Sequence, residues 1–159
     1  MNSKPLLAFL IVITALNLAL TSWIAFDLRS LNTHTSPLPA ELSESKRDAI
    51  FEQVKKYYNA QDYDDFYAIF AQEVQAQIPK IKFISTMQTM QSTFGNIEGG
   101  TYSSHEFAGN QHGKSVYNLF YTVGIPKSTI SPRGSLKITV TVSEGKVEIY
   151  GVYLFAITQ

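Results

Sequence analysis

Three hydropathy patterns follow one another along this chain. From Pro5 to Phe26 run 22 residues without a charge, most of them apolar. At about 1.5 Å rise per residue such a run makes a helix of roughly 30 Å, the depth of a bilayer's hydrocarbon core. Next, between Glu41 and Asn59, Ile50, Phe51, Val54, Tyr57 and Tyr58 recur at i, i+1, i+4, i+7 and i+8, the spacing of a helix with one buried face. Glu52, Lys55 and Lys56 fall on the other face. Asn59-Ala60-Gln61-Asp62 breaks this helix, and Asp62 is placed to cap a second one running through Ala71 with Phe66, Ile69 and Phe70 as its apolar stripe. Pro79 opens a third helical segment, Lys80 to Thr93, with Ile81, Ile84, Met87 and Met90 as core positions and Phe94 just beyond. Gly95, Gly99 and Gly100 close the helical half.

After Gly100 the period changes to two, the signature of strands. Tyr102 to Phe107 reads as a first strand, and Gly109-Asn110-Gln111-His112-Gly113 as a turn. Lys114 to Ile125 reads as a second, with Tyr117, Leu119, Tyr121, Val123 and Ile125 on one face. On a third, Leu136, Ile138, Val140 and Val142 face inwards while Lys137, Thr139 and Thr141 face outwards. Ser143-Glu144-Gly145-Lys146 is a tight hairpin of the glycine-containing kind. Val147 to Thr158 is the last strand; being apolar on both faces, it is expected to be central or covered by a helix. Three helices followed by four antiparallel strands predict an α+β domain, its sheet curled around the first helix.

The uncharged segment admits two readings, a cleaved signal peptide and a retained anchor. A signal peptide has an apolar region of about 7–15 residues and then a small-residue cleavage site. Here Trp23, Ile24 and Phe26 carry the run past Ala19 and Thr21, and the chain has no cysteine for lipidation. A retained transmembrane helix over 5–27 is therefore expected. Lys4 precedes it, while Asp27 and Arg29 cancel beyond it, so the N-terminus at 1–4 belongs in the cytoplasm and the domain outside. Within the span Thr14, Asn17 and Thr21 lie at i, i+3 and i+7 on one helix face. That face is either a contact with another transmembrane helix, where small polar residues are favoured, or a set of tolerated polar residues bonding their own helix.

Composition narrows the rest. Beyond residue 40, 119 residues remain, enough for one domain, with 11 basic and 12 acidic side chains. No basic footprint of a nucleic-acid binder is present. With zero cysteines an oxidising compartment would add no disulfides, so the domain must hold itself by its core. Residues 28–42 form a linker rich in Ser, Thr, Asn and Pro, an extended tether that includes His34. The domain occupies 43–159.

The order of elements resembles the NTF2-like (cystatin-like cone) superfamily. The likeness is carried by the long helix, by Asn59-Ala60-Gln61-Asp62-Tyr63-Asp64-Asp65-Phe66-Tyr67-Ala68-Ile69-Phe70, by the helix ending in Phe94-Gly95 and by strands closing with Gly145-Lys146-Val147. It covers about residues 44–158 and is nearest to small bacterial members of unassigned function. The resemblance implies a cone of three helices on a curved four-stranded antiparallel sheet, often enclosing a pocket. In isomerase-like and dehydratase-like members Asp, His or Tyr face that pocket; here the corresponding candidates are Tyr57, Tyr58, Tyr102, His105, Tyr117, Tyr121 and Tyr153. No catalytic set matches residue by residue, because the strands offer no inward carboxylate beside His105, and Glu106 points to the opposite face.

Other polar residues read structurally. Asp62, Asp64 and Asp65 lack the glycine and distal Glu of a calcium loop and suit helix capping and the first-turn dipole. His34, His105 and His112 form no spaced metal motif. The chain is thus expected to be a single-pass bacterial inner-membrane protein with no cofactor or metal. Its periplasmic domain would be a non-enzymatic accessory or assembly subunit that binds a protein partner or a second copy. The alternatives are a binder of a small apolar ligand in the tyrosine-lined cone and, third, an isomerase- or dehydratase-like enzyme.

Overall fold

The structure, a computed structural model, describes residues 37–157. The helix expected over 5–27, its Thr14, Asn17 and Thr21 face, and His34 lie outside the described residues. Among the described residues no helix is long and apolar enough to cross a membrane. What is described is α+β, four α-helices followed by a four-stranded antiparallel sheet.

A 3₁₀ turn, Ala40–Leu42, buries Leu42 and leads into α1, Glu44–Ala60. Ile50, Phe51, Val54 and Tyr58 are buried on one side of α1, as the spacing requires, and Tyr57 is half-buried. Gln61 ends the helix in the left-handed conformation (φ 56°), its N–H turned back on the carbonyls of Tyr57 and Tyr58. Asp62 caps α2, Tyr63–Ala68, by accepting the Asp65 N–H at 3.3 Å.

The second helix stops three residues earlier than its apolar stripe suggests. Phe70 leaves helical geometry to form a parallel bridge with Ile149, and the Ala71 N–H donates to the Ile149 carbonyl at 2.9 Å. A separate helix α3, Gln72–Gln77, follows and is tied back by the Tyr67 hydroxyl, 2.8 Å from the Gln75 carbonyl and 2.7 Å from that of Ile78. Helix α4, Lys80–Phe94, buries Phe83 and Met87. Ile81, expected in the core, is 80 % exposed. Its place is taken by Phe83, whose ring packs against Phe66, Tyr67 and Phe70 at 5.1–5.5 Å. That aromatic cluster turns the buried face of α4 away from the position that spacing alone selects.

The strands β1 (Gly99–Gln111), β2 (Lys114–Gly124), β3 (Arg133–Ser143) and β4 (Lys146–Ala156) pair in chain order. Two-residue turns, His112-Gly113 and Glu144-Gly145, join β1 to β2 and β3 to β4 with positive φ at all four positions. The first strand therefore continues through the Gly109–Gln111 stretch read as a turn. Last in that order, β4 is an edge strand rather than central, and the Phe70–Ala71 joint meets its edge at Ile149.

Cross-strand register sorts the side chains into rows. Inward rows are Phe107–Tyr117–Val140–Ile149, His105–Leu119–Ile138–Val152 and Tyr102–Tyr121–Leu136–Leu154. Bulges at Ser103, Ala108 and Tyr150 keep these rows aligned where strict alternation would fail. Leu119, Leu136, Ile138 and Val140 are fully buried beneath the helices. The Asn59 carboxamide closes the two halves: it donates to the Ile97 carbonyl at 2.8 Å and accepts the Ile97 N–H at 2.9 Å.

Candidate functional site

The bulge at Ser103 has a consequence that alternation hides. Tyr102 and His105 are three residues apart, which in a regular strand sends them to opposite faces. With the bulge both stand on the inner face, and the Tyr102 hydroxyl meets His105 Nδ1 at 2.7 Å. The Arg47 guanidinium of α1 lies 4.1 Å from the Tyr102 ring centre, a cation–π contact, and donates through Nη1 to the Leu42 carbonyl. Tyr121 packs edge-on to Tyr102 at 5.8 Å, stacks on Phe51 at 4.9 Å and donates its hydroxyl to the Arg47 carbonyl at 3.0 Å. Close approach is built into the backbone here, because a Cβ at Gly100 would run into the Phe51 ring.

These contacts occupy the space between α1 and the sheet around Tyr102 and Tyr121. Tyr121 is 1 % exposed and burial raises its hydroxyl above the usual tyrosine range, with Arg47 pulling the other way. Tyr58 is fully buried; burial and then the nearby Tyr63 raise its hydroxyl, which has no hydrogen-bond partner among the described residues. Tyr117 is buried against Phe107, ring centres 5.3 Å apart. Tyr57 is half-buried, with the Lys56 ammonium 5.3 Å from its ring centre. Among the seven pocket candidates the structure thus brings together Tyr102, His105 and Tyr121 as one contact group.

Tyr153 belongs elsewhere. It sits on the outer face, in the row Ser104–Phe120–Lys137–Tyr153. The Lys137 ammonium lies 4.6 Å from the Tyr153 ring centre, and Tyr153 stacks on Phe155. Burial holds Lys137 below the ordinary lysine range, opposed by the Glu106 carboxylate, and it raises the Tyr153 hydroxyl. The next outer row carries a polar chain: Thr139 donates to Asn118 Oδ1 at 2.8 Å, and Asn118 donates to the Glu106 carboxylate at 3.1 Å. Phe155 remains 49 % exposed. Sequence reasoning missed this outer cluster, although the last strand's apolar residues on both faces were its signal.

The acidic residues behave as caps and partners. Asp62 caps α2, and Asp64 pairs with Lys80 at 2.7 Å on the surface. His112 occupies the first hairpin turn. Among the described residues no three His, Asp or Glu side chains gather as a metal site. No protein-family model matches the chain, and no curated protein matches it.

Proposed function

We propose that this chain is a membrane-tethered, non-enzymatic accessory or assembly subunit. Its domain, read as NTF2-like and placed on the periplasmic side, engages a protein partner through the outer face of the sheet. The observation that carries this reading is the division of labour between the faces. Leu119, Tyr121, Leu136, Ile138 and Val140 of the inner rows are fully taken up by packing, which disfavours a small apolar ligand among them. The outer face presents Phe120, Tyr153 and Phe155 around Lys137, with Glu106 and Asn118 beside them, an aromatic centre with hydrogen-bonding groups next to it. Tyrosine and phenylalanine at the middle of a patch with polar surroundings is the composition of protein–protein interfaces. The balanced charge of the domain gives no basis for binding nucleic acid.

Pull-down of the full-length chain from detergent-solubilised membranes tests the reading. A specific partner, or a second copy, should be recovered, and Tyr153→Ser with Phe155→Ser should lower recovery at least about ten-fold while the circular dichroism spectrum is kept. Equal recovery by the double variant would contradict it. The tether is tested separately. Carbonate-washed membranes should retain the full-length chain, whereas a shorter soluble form would contradict a retained anchor. Asn17→Leu should weaken recovery of a partner that also spans the membrane, and unchanged recovery would argue against the polar helix face.

A further inference from the structure

Away from both sheet faces, the ends of α1 and α4 and the β2–β3 loop meet around an open groove of about 380 Å³. Four carboxamides, Gln61, Gln88, Gln91 and Asn96, line it together with Ser92 and Lys127. Gln88, Gln91 and Ser92 are i, i+3 and i+4 on α4, so they form one polar stripe on the helix. The walls are fixed. Gly95 has φ 67°, and a Cβ there would sit 2.8 Å from Lys127 Cβ, so the loop packs directly on the helix end. Thr129 N–H, on the same loop, donates to the Thr93 carbonyl at 3.3 Å. Tyr63, 8 % exposed, forms part of the lining.

One polar atom of the lining lacks a partner among the described residues. Gln91 Nε2 donates to Asn96 Oδ1, which orients the amide and leaves its buried Oε1 without a donor. Buried polar atoms in a folded protein are ordinarily satisfied, so the Gln91 carboxamide gains by turning this oxygen toward a donor.

We propose that this groove is a binding site for a neutral saccharide of one or two sugar residues. A carboxamide offers both donors and an acceptor, which matches hydroxyls that do both. No carboxylate lines the groove to hold a cation, and Lys127 alone supplies no anion clamp. Sugar hydroxyls entering the groove would bond the exposed carboxamides of Gln61, Gln88 and Asn96. The site is independent of the outer sheet face.

The test uses the full-length ¹⁵N-labelled chain in phosphocholine micelles, which carry no sugar head group, titrated with maltose, cellobiose and N,N′-diacetylchitobiose. At a dissociation constant near 1 mM, ligand at about 10 mM nearly saturates the site. At least one disaccharide should shift the side-chain amide signals of Gln61, Gln88, Gln91 and Asn96 and saturate. Gln91→Leu, or the more exposed Gln88→Ala, should weaken it about ten-fold or more, while the outer-face variant Phe155→Ser should bind as the unaltered chain does. No saturating shift with any of the three sugars would overturn the proposal. Equal shifts and saturation with triglycine would also overturn it, by assigning the groove to peptide amides.

Discussion

On β2, Tyr121 is 1 % exposed and its neighbour Phe120 is half-buried on the opposite side of the same backbone. The inward row Tyr102–Tyr121–Leu136–Leu154 is sealed by α1, through the Phe51 stack and the hydroxyl bond to the Arg47 carbonyl. The outward row Ser104–Phe120–Lys137–Tyr153 has comparable aromatic content, yet the buried core contains none of it. Apolar side chains on the first row have already lost their water on folding. Those on the second still have water to lose, so any further gain from burial is available to a partner. The same chemistry thus holds the fold on one face and stays unspent on the other.

Substitutions separate the two faces by size of effect. Ile138→Ala, in the fully buried row between Leu119 and Val152, should lower the unfolding free energy by about 2–5 kcal/mol in urea titrations. A smaller effect, about 2–3 kcal/mol, is expected for Asn59→Ala, which strips both hydrogen bonds from Ile97 where the helical half meets the sheet. Tyr153→Ser with Phe155→Ser should cost no more than about 1 kcal/mol, because neither side chain is in the buried core. A loss as large as that of Ile138→Ala would erase the distinction between the faces.

A finer probe is Tyr58→Phe. At neutral pH it should change stability by less than about 1 kcal/mol, since the hydroxyl it removes has no partner among the described residues. In alkali the effect has a sign. Burial raises the folded-state pKa of Tyr58 and Tyr121, whereas tyrosines of the unfolded chain titrate near 10. Their contribution is whole below about pH 10 and is lost as pH climbs through the raised folded values. The phenylalanine variant should therefore lose stability less steeply above about pH 10 in urea titrations at successive pH values. An identical alkaline limb would mean that the Tyr58 hydroxyl titrates without hindrance.

Much of the inner face was legible in the sequence because helix and strand periods are strong there. Tyr117, Leu119, Tyr121, Val123 and Ile125 alternate in one run and are all buried, as are Leu136, Ile138, Val140 and Val142. Departures arise where a local event breaks the period. The Ser103 bulge brings Tyr102 and His105 together, and the Tyr150 bulge lets Ile149 and Val152 share a face. A bridge from Phe70 to Ile149 splits one expected helix into two, since a backbone partner far along the chain leaves no mark in local spacing. Ile81 was misplaced because Phe83 has aromatic neighbours on α2 and just beyond it that a one-dimensional stripe does not see. The polar groove has no local signature for a related reason: Gln61, Asn96 and Lys127 are distant in the chain and converge only in the fold.

Site-specific photo-crosslinking tests the outer-face account most directly. A benzophenone amino acid is placed at Tyr153 in the full-length chain, and separately at Ile81, which is 80 % exposed on α4, and both are irradiated in intact membranes. The account predicts a discrete crosslinked adduct from position 153, to a protein partner or a second copy, and none from position 81. Absence of an adduct at 153, or the same adduct from both positions, would contradict it.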